Sequence, residues 1–245
     1  MALAGYVAAV LADTPRVYWK LDETSGFPAD SSGNSLPITT TDGSPAYLAQ
    51  GPMSSVAIQF DGLTMAFSRA VASTVTDNFT IEAWVYLTAL NEGAGTAEWI
   101  YTCGTPAASN GFGVGFNTSG GSSVFLLGVA HNIGFTTLGT TEIVLNRWTH
   151  CVWRRQATTW RYFLDGTIDP TSGGTISPGA VSGSTFINRT ATLLTNGPSG
   201  RLAHMAVYET ALSDSTILAH YQSSAEIVHD PFLRPHPVMG RGASW

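Results

Sequence analysis

The sequence predicts an all-β protein, built from many short antiparallel strands that pack as one sandwich or barrel. Three observations carry that expectation. Phe79, Ile81, Ala83 and Val85 alternate with Thr80, Glu82, Trp84 and Tyr86, the period of two that defines a strand with distinct faces. The chain is punctuated by 26 Gly and 12 Pro residues, which break it into short segments joined by turns. Only 11% of its 245 residues are charged, and a β unit of this length buries a sizeable core by itself.

The elements follow in order. Tyr6, Val7, Val10 and Leu11 recur at helical spacing until Thr14-Pro15 stops the pattern, so a short helix over residues 5–12 precedes the first strand, residues 17–21. Residues 22–55 hold Pro28, Gly33, Pro37, Gly43, Pro45, Gly51 and Pro52 and read as loop. Strands are expected over residues 79–86, 99–102, 111–116, 124–129, 148–155 and 160–164. One face of the first of these should meet the core and the other should line an open sheet face. Asp165-Gly166 tolerates the positive φ of a hairpin turn. Residues 169–184 read as loop, 185–187 as a short strand and 202–208 as the last full strand. Ser213 is the expected N-cap of a closing helix over residues 214–222, with Leu212 and Ile217 forming a hydrophobic staple and Ile217, Leu218 and Tyr221 docking it. The chain thus divides into a helical lead-in (1–15), a β domain (16–222) and an extended arm (223–245). In the arm, Asp230-Pro231-Phe232-Leu233-Arg234-Pro235-His236-Pro237 favours polyproline-like structure.

Bulk chemistry excludes several functions. A formal charge of −6 with no basic patch argues against nucleic acid. No apolar run reaches the ~18 residues needed to span a bilayer, so no membrane insertion is expected. Cys103 and Cys151 show no metal-type spacing and read as half-buried thiols rather than a disulfide. Residues 1–11 are apolar but lack the basic start of a secretory signal, which suits a protein made and assembled in a cytosol.

Several motifs carry a family resemblance. Val17-Tyr18-Trp19-Lys20-Leu21-Asp22-Glu23 is followed by Asp30-Ser31-Ser32-Gly33-Asn34 and Phe60-Asp61-Gly62. Phe79-Thr80-Ile81-Glu82-Ala83-Trp84-Val85, Trp148-Thr149-His150 and Gly200-Arg201-Leu202-Ala203-His204-Met205-Ala206-Val207-Tyr208 come next in order. Together they cover about residues 6 to 222 and resemble the laminin-G-like, concanavalin A-type modules. That resemblance implies a two-sheet antiparallel jelly-roll sandwich with short flanking helices. It does not choose among lectins, glycosidases and structural pieces.

Catalysis, calcium and sugar are the three chemistries the resemblance raises. Retaining glycosidases of this fold carry Glu-x-Asp-x-x-Glu on one strand, whereas the matching strand here offers Glu82 alone, and hydrolysis needs two carboxyl groups within ~5–10 Å. A structural Glu82 is expected, with Glu82→Gln mild in its effect and no enzyme activity. Related modules bind Ca²⁺ on the rim, which implies at most one calcium at Asp30 and Asn34, with Asp61 a further candidate. The family's closing acidic pair is replaced by Leu202-Ala203-His204, and an Asx-turn at Asp30 is the alternative to a metal site. Trp84, Tyr86, Trp153 and Trp160 are the aromatic candidates for an open sugar-binding face.

Three functions compete. The run Tyr6-Val7-Ala8-Ala9-Val10-Leu11-Ala12-Asp13-Thr14-Pro15 leading into Tyr18-Trp19-Lys20-Leu21 is similar to the laminin-G-like modules of phage tail and capsid-surface proteins, including actinobacteriophages. This implies a virion subunit, localised to the particle, with host-surface glycan as a ligand. Phe232, Leu233, Met239 and Trp245 of the arm would then join it to other virion proteins or to copies of itself. The alternatives are a free-standing carbohydrate-binding lectin and a glycoside hydrolase.

Overall fold

The alternation read along residues 79–86 extends into a longer strand at the centre of one sheet, and the rest of the fold is arranged about it. A computed structural model describes residues 2–69, 78–89, 97–104, 111–118, 123–130, 136–173, 184–188 and 197–224. The chain opens with α1 (Ala2–Ala12), then β1 (Val17–Trp19), β2 (Thr40–Asp42), β3 (Ala46–Gln50), β4 (Val56–Phe60) and β5 (Ala66–Arg69). The middle supplies β6 (Phe79–Ala89), β7 (Glu98–Cys103), β8 (Phe112–Thr118), β9 (Val124–Ala130) and β10 (Thr136–Leu138). It closes with β11 (Trp148–Gln156), β12 (Thr159–Leu164), β13 (Thr167–Gly173), β14 (Thr185–Ile187), β15 (Ser199–Tyr208) and α2 (Asp214–Ser223).

Two antiparallel sheets result. The first runs β13-β12-β11-β6-β15-β4-β3, with β1 also paired to β15, and the second runs β10-β9-β8-β7-β14-β5-β2. This is a concanavalin A-like jelly-roll sandwich with two short helices. Strand β15 serves both β4 and β1 along the same edge: Gly200–Leu202 pair β4, and Met205–Val207 pair β1. A bulge between Ala203 and Ala206 separates the two halves, and His204 sits there at φ 53°.

The core lies between the sheets. Phe79, Ile81, Ala83, Val85 and Leu87 of β6 face Phe112, Val114 and Phe116 of β8 and Ile100 and Cys103 of β7. Cys103 and Cys151 are fully buried thiols, deeper than the sequence suggests, and no disulfide joins them.

Two expectations need correction. Residues 22–55 are not all loop, because β2 and β3 form there as short edge strands whose exposed faces hide the usual alternation. Likewise β13 continues to Gly173 through Pro170. It is the outermost strand of its sheet, where a missing N–H breaks no ladder. The expected hairpin at Asp165-Gly166 does form, with φ of 50° and 74°, the doubly positive pattern of a type I′ turn. Gly166 has a second reason to be glycine: a Cβ there would lie 3.0 Å from Leu218 Cδ1 and 3.1 Å from Tyr221 Cβ of α2.

Helix α2 is capped as its sequence requires, with Ser213 accepting from Thr216 N at 3.1 Å. Leu212 and Ile217 are buried beneath it, whereas Leu218 stays 39% exposed. Thr80 and Arg154 fix its entry: Leu212 N donates to Thr80 Oγ1, and Arg154 Nη1 donates to the Leu212 carbonyl and to Asp214. The arm from residue 225 onward, with Phe232, Leu233, Met239 and Trp245, lies outside the described residues.

Candidate functional site

Strand register builds the candidate site on the outer face of the first sheet. Because paired residues share a face, β11, β6 and β15 present cross-strand rows there. They read Arg154–Thr80–Tyr208, Val152–Glu82–Ala206, His150–Trp84–Ala203 and Trp148–Tyr86–Arg201. The first three rows are buried. Both helices lie over them, with Tyr6 and Val10 of α1 and Ile217 of α2 packing against Trp84, Val152 and Ala206. This outer face is therefore closed where the sequence led us to expect an open one.

Glu82 is the hub of that closed layer. Its side chain is fully buried, and it accepts from the Tyr208 hydroxyl, from His150 Nε2 at 3.1 Å and from His220 Nδ1 at 3.1 Å. The other nitrogen of His220, Nε2, lies 2.8 Å from Asp13 Oδ2, just after α1. Carboxylates only accept, so both ring nitrogens donate and His220 is an imidazolium held between two acids. Burial alone would lower the His220 pKa, but Glu82 and Asp13 outweigh it and lift it to about 9. Burial likewise works to raise that of Glu82, yet the hydrogen bonds and charges of His150 and His220 hold it well below the usual carboxylate range. The chain Asp13–His220–Glu82 thus ties α1, α2 and β6 together.

A second polar pair lies beside it. The Tyr18 hydroxyl is 2.8 Å from His204 Nδ1. Burial pushes His204 down to about 4, so it is neutral at pH 7 and shares a neutral hydrogen bond with the Tyr18 hydroxyl. Tyr6 fills the space between the two groups, with its ring edge-on to Trp84, His150 and His204 at 6.2, 6.0 and 5.5 Å. The one glutamate on the strand matched to the glycosidase motif is therefore sealed. The other carboxylate of the cluster, Asp13, reaches it only through His220.

The aromatic candidates scatter. Trp153 and Trp160 face inward, 0% and 1% exposed, because their register places them beside Ile81 and Phe79 on the core face. No surface ligand reaches them, which corrects their assignment to an open face. Trp84 is 7% exposed beneath the helices, with Tyr221 stacked on it at 6.1 Å, and is removed from the open face for the same reason. Tyr86 alone is partly exposed, in the one row the helices leave uncovered. Trp148 lies 5.6 Å from its ring, and the Arg201 guanidinium lies 4.8 Å above it. The sequence reading missed Trp148 and Arg201 in this role; the period of two on β11 was a signal for Trp148, whereas the bulges of β15 on either side of Gly200–Ala203 left none for Arg201.

The calcium candidates are all engaged within the chain. Asp30 accepts from Tyr18 N, Ser32 N and Leu36 N at 2.9–3.0 Å and from Ser32 Oγ at 2.9 Å, forming an Asx-turn. Asn34 turns its Nδ2 donor toward the Pro15 and Arg16 carbonyls. Asp61 accepts from the backbone of Leu63, Thr64 and Met65 in a separate turn. Burial opposes ionisation at both aspartates, but these donors outweigh it and lower both pKa values. These oxygens are already used by donors of the chain itself, with Oδ2 of Asp61 taken by the Thr64 hydroxyl. Among the described residues, no group of three or more His, Cys, Asp or Glu side chains is placed to hold a metal.

Sandwich topology and a buried polar layer under flanking helices define the class of this protein as a lectin-like jelly roll. Its sequence matches the concanavalin A-like lectin/glucanases superfamily, in a laminin-G-type family, over residues 59–218, and the chain belongs to that superfamily. Domain 4 of AbnA, a GH43 extracellular arabinanase from Geobacillus stearothermophilus solved with arabinotriose, is similar to it at a TM-score of 0.67 and 17% identity. That match covers 85% of this chain and 98% of that one. The binding domain of Paraclostridial Mosquitocidal Protein 1 matches at 0.63 and 15% identity, over 87% of this chain and 53% of that one. The botulinum neurotoxin type G receptor binding domain matches at 0.61 and 12%, over 85% and 51% respectively. The chain therefore spans about half the length of these toxin domains. At such identities the likeness is one of fold. A search of the curated proteins found no match.

Proposed function

We propose that the chain is a non-catalytic, lectin-like adhesion module carried as a structural subunit of a phage virion. Its ligand is a host-surface glycan, and residues 229–245 are its means of joining the particle. The observation that carries the non-catalytic reading is Glu82, fully buried and engaged by Tyr208, His150 and His220. A general acid must reach its substrate, and this one is beneath two helices.

Glycan binding is supported by membership of the superfamily and by the uncovered row of Trp148, Tyr86 and Arg201. Arg201 covers one face of the Tyr86 ring, so the remaining aromatic surface of Tyr86 and Trp148 would meet sugar C–H groups and the guanidinium the hydroxyls. The virion assignment is supported by the phage-like run from Tyr6 through Leu21, and the arm is its docking element by composition.

Two measurements test the reading. Incubation with polysaccharides, scored for both retention and reducing ends, should give binding without turnover, and Tyr86→Ala should weaken the binding tenfold or more. Turnover that vanishes in Glu82→Gln would overturn the non-catalytic part. Chains lacking residues 229–245 should fold and yet be absent from purified particles. Normal incorporation of the truncated chain would remove the docking role.

A further inference from the structure

Residues 139–147 leave β10 at the edge of one sheet and enter β11 in the other, and they wall an open cavity of about 200 Å³ at the rim of the sandwich. At roughly 30 Å³ per water, that space corresponds to six or seven waters, the scale of one sugar ring. Thr149 and Leu164 lie at its floor, Glu142, Val144 and Arg147 line its mouth, and Asp165 stands beside Arg147.

The wall is built rather than loose. Gly139 N donates to Leu126 O at 2.8 Å, Ile143 N to Val124 O at 2.8 Å and Asn146 N to Leu87 O at 2.7 Å. Thr140 N and Thr141 N both donate to Asp169 Oδ2, at 2.9 and 2.6 Å, while Thr171 N takes Oδ1 at 2.8 Å. Asp169 is 3% exposed; burial would raise its pKa, but these donors hold it at about 2, so it clamps the segment as a carboxylate. Surface connections normally move, and one fixed to β6, β9 and β13 loses little freedom when a ligand binds.

The polar groups of the mouth are also set in place. Asp165 accepts from His150 N with one oxygen, at 2.9 Å, and from Arg147 with the other. The Arg147 side chain, held by that pair, remains 56% exposed and offers its other N–H groups to the mouth. Glu142 supplies acceptors on the same rim, and Val144, 58% exposed, adds an apolar contact. The paired Arg147 and Asp165 cancel in charge, which leaves Glu142 to disfavour anionic sugars.

We infer that this rim cavity binds one neutral sugar ring, with vicinal hydroxyls between Arg147 and Glu142, and that it selects which glycan the module holds. The inference rests on the lectin-like reading above and deepens it. The probe is an array of neutral oligosaccharides ending in arabinose, galactose, glucose or mannose, followed by calorimetry with those that bind. Arg147→Ala and Glu142→Ala should each weaken binding tenfold or more at an unchanged melting temperature. Should Arg147→Ala fail to fold, Val144→Trp, which blocks the mouth from an exposed position, should give the same loss. If a saccharide binds the parent chain and these variants equally well, the cavity is not its site, although the lectin reading stands. If none of these saccharides binds the parent chain, both the lectin reading and the cavity inference fail.

Discussion

Strand β6 solves two different packing problems with its two faces. Inward, Phe79, Ile81, Ala83, Val85 and Leu87 meet the opposite sheet in a mainly apolar layer, where the buried guanidinium of Arg155 lies beside Phe79 and over the Trp160 ring. Outward, Thr80, Glu82 and Trp84 are just as buried, yet this layer is organised by an anionic glutamate, a cationic histidine and two tyrosines. The inner layer is held by burial and close packing, which respond to volume and are not directional. The outer layer is held by hydrogen bonds that respond to the identity and charge of each partner. Helices α1 and α2 pack on the sheet through Tyr6, Val10 and Ile217, and the directional contacts add a fixed position to that packing.

The largest expected effect belongs to the inner layer. Trp160, edge-on to Phe79 at 5.4 Å, fills the space between the sheets. Trp160→Ala should lower stability by about 3–5 kcal/mol in denaturant unfolding. A loss below about 1 kcal/mol would mean that this layer is loosely packed and that close packing is not what holds it.

Glu82→Gln isolates the outer layer, since it keeps volume and removes charge. The sequence suggested a mild effect, but the geometry reverses that expectation, because His220 and His150 would lose a buried anionic partner. We expect a loss of about 2–4 kcal/mol, with earlier proteolysis of α1 and α2. Dependence on pH sharpens the test. His220, raised to about 9, contributes stability that is complete below the unfolded value of ~6.5 and lost as pH rises through 9. His204, lowered to about 4, acts at the other end: the unfolded chain takes up the proton first, so stability falls as pH drops from ~6.5 towards 4. Melting temperature should therefore be highest near neutrality, and Glu82→Gln should flatten the alkaline decline. An unchanged alkaline limb would show that His220 does not carry its charge through Glu82.

The inner face of β6 was legible because its alternation is a local signal, whereas Trp153 and Trp160 of β11 and β12, which share that layer, were expected on an open face. The capping of α2 by Ser213 and the turn at Asp165-Gly166 were legible for the same reason. The helix-covered layer was not. Its members Asp13, Glu82, His150 and His220 are up to 207 residues apart, and nothing near His220 in sequence announces a carboxylate on either side. A period of two shows that neighbours on one strand face opposite ways, but not how that strand registers against the next or which face a helix will later cover. The edge strands β2 and β3 escaped notice because exposed strands carry no apolar alternation.

The smallest expected effect concerns carboxylates used a third way, at the rim. Asp30 and Asp61 lie outside the core, and each gathers backbone N–H groups that a tight turn would otherwise leave unpaired. Calcium would compete with these donors for the carboxylate oxygens, and a cation that binds only the folded chain must raise its melting temperature. EDTA and millimolar Ca²⁺ should therefore give the same melting curve within about one degree, whereas Asp30→Ala should lower stability by about 1–3 kcal/mol in either solution. A calcium-dependent rise of several degrees that Asp30→Ala abolishes would make Asp30 a metal ligand. It would also break the distinction between a carboxylate that closes a turn and one that holds a charge.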